Sequence, residues 1–265
     1  MDILSEAFRW LNDPLNWTGR RGVLELASAH LLVSAAAVGL ALLVALPAGL
    51  WLGHRRRGAT VGVVVANTTR ALPTLALLTL LAASGWFGNV ATAIACAVFA
   101  VPPILANAVT GVGGVDDDVR DAARGLGMSG ARVLWSVEMP LATPLIAAGI
   151  RTGAVQVLAT VPLAALVGGT SLGTIVVTGF ATQRYGQALA GGILVAGLCL
   201  AVEGLLALAE RGVAPRGLRA LDRAAAADSR AAARTSAPRR RRAPVAAPPA
   251  TGSNGAASNG AAPAP

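Results

Sequence analysis

The chain has 265 residues, 54% of them hydrophobic and only 13% charged, with a formal net charge of +9. Its apolar residues fall in long unbroken runs, which excludes an ordinary soluble bundle, where a polar residue would recur every three or four positions on the solvent face. The runs also lack the short alternating strands of a membrane barrel, so the fold read from the sequence is all-α and polytopic.

A bilayer core of about 30 Å takes roughly 20 apolar residues of helix to cross. Five stretches approach or exceed that length: Leu26–Gly53, Val61–Ala83, Val90–Val112, Leu141–Val167 and Leu189–Ala209. About five transmembrane helices are therefore predicted over residues 26–211, preceded by an extracytoplasmic segment over 1–25 and followed by a cytoplasmic tail over 212–265. The first run is too long for a signal peptide and has no small-residue cleavage site before a soluble region, so it reads as a retained helix. His30 and His54 flank it and are expected at helix-end interfaces, with no assigned role.

Polar groups inside apolar helices are costly and mark candidate pathways. The second run carries Asn67, Thr68, Thr69, Arg70 and Thr74, the third Asn107, the fourth Gln156 and Thr160, and the fifth Glu203. Pro73, Pro102-Pro103 and Pro162 are expected to break or kink their helices and free backbone groups to line a cavity. Asn67, Pro73, Asn107 and Gln156 are the candidate translocation-path residues. Thr bonding to its own helix, or Asn and Gln bonding a neighbouring helix, is the plainer use of such residues. Cys96 and Cys199 lie within apolar runs with no neighbouring Cys or His, so they read as packing residues and no metal site is predicted. Trp51, Trp86 and Trp135 fall at helix ends, where interfacial anchoring is expected. The stretch Gly168–Ala188 is open between a loop, a membrane dip and an added crossing.

The sequence contains no Lys, so Arg alone sets the orientation. His54-Arg55-Arg56-Arg57 lies between the first and second runs, Arg120, Arg124 and Arg132 between the third and fourth, and a dense set follows the fifth. The positive-inside rule places these in the cytoplasm, with the N-terminus outside and the C-terminus inside; Arg9, Arg20 and Arg21 count against this but are outnumbered. From Asp222 the composition turns to Ala, Pro, Ser, Gly and Asn, which predicts disorder. Arg239-Arg240-Arg241-Arg242 within it fits a solvated charge run or a contact to anionic lipid. No folded scaffold or interleaved aromatics accompany these arginines, so nucleic acid is not an expected partner.

One long polar insert remains, residues 114–140. Asp116 to Asp118 suit a helix N-terminus, Asp121 to Leu126 form a short amphipathic helix, Gly127 ends it, and Ser129 is placed to cap the next turn. The result is a structured knob on the membrane face. Asp121-Ala122-Ala123, three residues, Gly127, nine residues, then Val137-Glu138-Met139-Pro140 resembles the EAA loop of ABC-importer permeases, whose pattern is Glu-Ala-Ala, three, Gly, nine, Ile-x-Leu-Pro. Asp121, Val137 and Met139 are conservative departures. Arg70 to Leu78, Gly149-Ile150-Arg151-Thr152, Gly169-Thr170-Ser171-Leu172-Gly173 and the Trp10-Leu11 to Asn16-Trp17 segment are similar to the glycine betaine, choline, carnitine or proline branch. Methionine, nitrate and sulfonate permeases share only the EAA pattern.

The resemblance implies the type I importer permease fold and a non-enzymatic transport subunit that moves osmoprotectants by alternating access. It implies that Asp121, Ala122, Ala123, Gly127 and Pro140 belong to a coupling loop docked on a cytoplasmic ATPase subunit. Further implied partners are a second permease chain, identical or sister, and an extracytoplasmic solute-binding protein, all within membrane lipid. A Gly-x-x-x-x-Gly-Lys-Ser/Thr phosphate loop is impossible without Lys, so no cofactor is expected in this chain, and ATP and Mg are expected on the partner. The alternatives are a self-sufficient secondary carrier or channel, for which inverted repeats and a midplane charge pair would be needed, and an ABC permease for another small solute such as an amino acid.

Overall fold

The computed structural model describes residues 2–56, 59–68 and 73–213. The predicted disordered tail beyond 213, Arg57, and the Thr69 and Arg70 of the candidate pathway lie outside the described residues. Among those described, the chain is helical with no strand. An amphipathic α1 (Ile3–Asn12) and a 3-10 turn at Pro14–Asn16 lead into α2 (Val23–Arg55), followed by α3 (Ala59–Thr68), α4 (Thr74–Ala83) and α5 (Gly88–Gly113). Two short helices, α6 (Asp117–Gly125) and α7 (Gly130–Val133), and a π-turn at Leu134–Glu138 precede α8 (Met139–Thr160). A 3-10 segment (Val161–Val167), α9 (Gly173–Ala181) and α10 (Tyr185–Val213) complete the order.

Among the described residues, four helical stretches are long and apolar enough to cross a membrane: Val23–Arg55, Gly88–Gly113, Gly130–Val167 and Tyr185–Glu210. They correspond to the first, third, fourth and fifth predicted runs. The second run differs. Instead of one helix it forms α3 and α4, each of 10 residues, and at 1.5 Å per residue each covers about half of a bilayer core. Pro73 stands immediately before α4 with extended backbone (φ −65°, ψ 125°), so α4 starts at this proline. Pro102 and Pro103 do not interrupt their helix, contrary to the expectation: α5 runs through both, and both are buried among neighbouring helices.

The core is a seam of small residues. Ala37, Ala41 and Ala45 of α2 face Ala93, Ala97 and Ala100 of α5, and Val157 and Val161 close the cluster from the α8 side. Small side chains let backbones approach closely, which supplies the dispersion contacts that hold helices together where water gives no hydrophobic drive. The helices approach closely where α8 crosses α5: a Cβ on Gly149 would lie 2.6 Å from the Cβ of Asn107, so only glycine fits. Cys96 is buried in the α2–α5 seam as a packing residue.

His30 is not interfacial as expected. It is fully buried, and its Nε2–H donates to the Leu158 carbonyl at 3.0 Å. The cause lies four residues along α8, where Pro162 has no N–H to return to that carbonyl. His30 supplies the missing donor from another helix, which fixes its tautomer with the proton on Nε2 and leaves Nδ1 without a partner. Beyond this point α8 tightens into the 3-10 segment, as the expectation for Pro162 required.

The stretch Gly168–Ala188 contains no helix long enough to cross a membrane by itself. Asn89 at the start of α5 holds its first part through both amide atoms, Nδ2 donating to Thr170 Oγ1 at 3.0 Å and Oδ1 accepting from the Thr170 N–H at 2.8 Å. The nine residues of α9 are too few to span. They fold back on α10 as an antiparallel hairpin, with Gly179 against Ala188 and Gly191 against Val176. Near the other end of α10, Arg151 of α8 lies 3.0 Å from Glu210 and 3.9 Å from Glu203, an ionic contact that ties α8 to α10.

Candidate functional site: the loop joining α5 to α8

The loop is built from its N-cap outward. The Asp116 side chain accepts the N–H of Asp118 at 2.9 Å, satisfying one of the free donors at the start of α6. Asp117 and Asp118 in the first turn and Arg124 in the last match the helix dipole at both ends. The helix stops because Gly127 takes a left-handed conformation (φ +82°), with its N–H returning to the Arg124 carbonyl at 2.8 Å and that of Met128 to the Ala123 carbonyl at 3.2 Å. Ser129 occupies the cap position of α7 as predicted, but its side chain makes no capping bond; its carbonyl accepts the Val133 N–H instead.

The predicted coupling residues fall on this knob. Asp121 is exposed on the second turn of α6, 3.4 Å from Arg124, so it is a surface acid and not the cap, a role that belongs to Asp116. Ala122 is exposed beside it and Ala123 is buried beneath. Val119 and Leu126, the latter 80% exposed, add apolar surface to the same short helix. Pro140 is exposed in the first turn of α8, directly after the π-turn, inside the continuous helical stretch Gly130–Val167.

What fixes the knob is a buried cluster that sequence reasoning missed. Glu138 is 0% exposed, and its Oε2 lies 2.7 Å from His54 Nδ1 at the end of α2. Its Oε1 lies 3.1 Å from Nε of Arg120, which is 3% exposed in α6. Arg120 also donates through Nη2 to the Val112 carbonyl near the end of α5. One carboxylate therefore joins α2, α6 and the entry to α8, and its guanidinium partner reaches back to α5. Burial pushes the Arg120 guanidinium below its usual pKa, while the Glu138 carboxylate works in the opposite direction. A second tie runs at the rim: Arg56 Nη1 donates to Asp117 at 2.7 Å and Nη2 to the Val115 carbonyl at 2.7 Å. That hydrogen bond, the leading cause, holds the Asp117 carboxyl below its usual range. The signal for Glu138 was an acid in an apolar stretch at the variable position of the EAA pattern, and its partners lie 18 and 84 residues away.

The candidate path residues are more dispersed. Asn67 is exposed on α3, and Pro73 is exposed ahead of α4. Asn107 is half-buried where Gly149 presses on α5, its Nδ2 donating to the Pro103 carbonyl of its own helix at 2.8 Å. Gln156 is half-buried on α8, and its carbonyl accepts from the Thr160 hydroxyl at 2.7 Å. At the end of the bundle opposite the knob, a cavity of about 390 Å³ opens between α1, the start of α2 and α9, lined in part by Trp10, Arg20, Arg21, Thr178 and Gln187.

Comparison with known proteins gives the family of the chain. Residues 31–215 match the family described as binding-protein-dependent transport system inner membrane component. The glycine betaine/carnitine/choline transport system permease protein OpuCB of Bacillus subtilis (strain 168) is 34% identical over 192 residues, covering 72% of this chain and 88% of that protein. The carnitine transport permease protein OpuCB of Listeria monocytogenes is 34% identical over 190 residues, 72% of this chain and 87% of its own. A chain of the inward-facing MetNI methionine ABC transporter superposes with a TM-score of 0.65 over 77% of this chain and all of that one; at 17% identity the likeness is one of fold. The chain is a multi-pass membrane protein and belongs to the family of inner-membrane components of binding-protein-dependent transport systems.

Proposed function

We propose that this chain is the permease subunit of an ATP-driven importer for small osmoprotectants, of the glycine betaine, choline, carnitine and proline class. The observation that carries the coupling half of this reading is the Glu138 cluster. An exposed short helix, α6, is joined through buried charged groups to the ends of α2 and α5 and the start of α8. A force on α6 therefore reaches three bundle helices without a flexible step between them, which is what a coupling element needs. The force comes from a separate cytoplasmic ATPase that holds ATP and Mg and contacts Asp121, Ala122 and the exposed apolar residues of α6, while Ala123, buried beneath them, packs the helix onto the rest of the loop rather than meeting the partner. The substrate class is supported by relatives whose names give glycine betaine, carnitine and choline.

The assembly pairs this chain with a second permease, identical or sister, and takes solute from an extracytoplasmic binding protein. In this reading the knob faces the cytoplasm, which places the N-terminus outside. Solute passes by alternating access, with Asn67, Pro73, Asn107 and Gln156 on its path.

The test is uptake of labelled glycine betaine at high osmolarity, in cells stripped of other uptake systems and carrying the intact transport system, challenged with unlabelled choline, carnitine, proline and methionine. Uptake that depends on this chain and is competed by one or more of the first three supports the reading. Uptake of methionine, with none of labelled betaine, overturns the substrate class and leaves the coupling reading standing.

A further inference from the structure

The first helix has a use that neither the coupling loop nor the substrate path explains. At 3.6 residues per turn α1 divides into three faces. Ala7 is buried and Glu6 backs onto Gly186 in the first turn of α10, so closely that a Cβ on Gly186 would meet the Glu6 side chain. Ser5, Arg9 and Asn12 share a polar face and are all exposed. Between these lie Leu4 and Phe8, 58% and 67% exposed, followed by Leu15 in the next turn.

The position of α1 along the bundle says what covers the exposed apolar face. Gly186 lies between the polar turn Thr182–Arg184 and the apolar stretch of α10 that begins at Ala188, so it marks where the hydrocarbon-spanning part of that helix starts. A helix packed there lies at the edge of the lipid-facing belt, and its exposed leucine and phenylalanine continue the lipid-facing surface of the bundle. The charge around it favours a bilayer over a charged protein partner: Asp2, Glu6, Asp13 and Glu25 are balanced by Arg9, Arg20, Arg21 and Arg184. A helix with one face on protein, one apolar face free and one polar face free fits the plane of a membrane surface.

We infer that α1 is an interfacial anchor, lying in the bilayer surface opposite the coupling loop with Leu4 and Phe8 among the acyl chains and Ser5, Arg9 and Asn12 in water. Docked there, it holds the start of α10 and the α9 hairpin at a fixed depth. This rests on the multi-pass membrane fold and is independent of the substrate.

The experiment is spin-label accessibility on the full-length chain in phosphatidylcholine nanodiscs, in a Cys96→Ala, Cys199→Ala background, with single labels at Leu4→Cys, Phe8→Cys, Ser5→Cys and Asn12→Cys. Labels at 4 and 8 should collide more with oxygen than with a water-soluble nickel chelate, and the ratio should reverse at 5 and 12. Two results overturn the inference: nickel access at 4 and 8 equal to that at 5 and 12, which places the helix in water, or low access to both reagents at 4 and 8, which places another protein surface over it. Labels at two positions on the apolar face guard against one substitution disturbing the helix.

Discussion

Replacing Glu138 by Gln removes the charge from a site with 0% exposure and leaves the Arg120 guanidinium, 3% exposed, without its counter-ion. At 3.1 Å the pair attracts by about 5 kcal/mol with the effective dielectric near 20 that suits partly buried charges. Desolvation offsets much of that gain in the intact pair, but once one partner is gone the cost falls wholly on the other, and about 3–5 kcal/mol of destabilisation is expected. His54 loses its strong acceptor at the same time. The assay is thermal unfolding in detergent of Glu138→Gln, Arg120→Met and the double variant Arg120→Met with Glu138→Leu. Each single change should lower the midpoint substantially, and the double should recover a large part of the loss because no charge is left buried. A Glu138→Gln protein within about 0.5 kcal/mol of wild type would refute the reasoning, since surface changes away from such features stay within that range.

Three further outcomes follow from other parts of the molecule. His30→Leu strands the Leu158 carbonyl and should cost about 1–3 kcal/mol, but much less in a Pro162→Ala background, where the helix supplies its own N–H; thermal midpoints of the four proteins give the cycle. Gly149→Val forces a side chain into the 2.6 Å approach to Asn107 and should destabilise the α5–α8 crossing by about 1–3 kcal/mol, read as a lower midpoint and reduced membrane level. The Arg56–Asp117 tie depends on a carboxyl whose folded pKa is depressed, so its contribution is complete above the ordinary value of 3.8 and is lost as pH falls through the lower folded value. Protease sensitivity of the loop should thus be flat from about pH 5 to 8 and rise progressively as the pH falls below 3.8, and Arg56→Gln should remove the acid step.

Much of this architecture could be read from the sequence because membrane crossing leaves a one-dimensional mark: an apolar run of helical length survives whatever packs against it. The loop between α5 and α8 was legible for a different reason. Its Asp and Gly residues act locally through capping and left-handed backbone, so Asp116 and Gly127 did what their chemistry dictates. Pro102 and Pro103 misled, because the effect of a proline depends on what surrounds it. Pro102 and Pro103 sit in a continuous helix, whereas Pro162 changes the helix type and draws a histidine from 128 residues away. The same limit hid the Glu138 cluster, whose partners His54 and Arg120 come from separate helices, and made His30 and His54 look interchangeable when one mends a helix break and the other holds the knob. Helix α6 shows the local side of the rule: Asp116 caps it, five residues ahead of the acid that opens the EAA-like pattern.

The most direct test of the central claim, that α6 transmits force from a separate ATPase, is to purify this chain from its native membrane as wild type, Asp121→Arg and Gly127→Asp, measuring at once the ATPase that co-purifies and the uptake of labelled glycine betaine by the same cells. The account predicts normal membrane levels of all three proteins, with loss of both the bound ATPase and the uptake in the two variants. Normal uptake and a full complement of ATPase in both variants would contradict it.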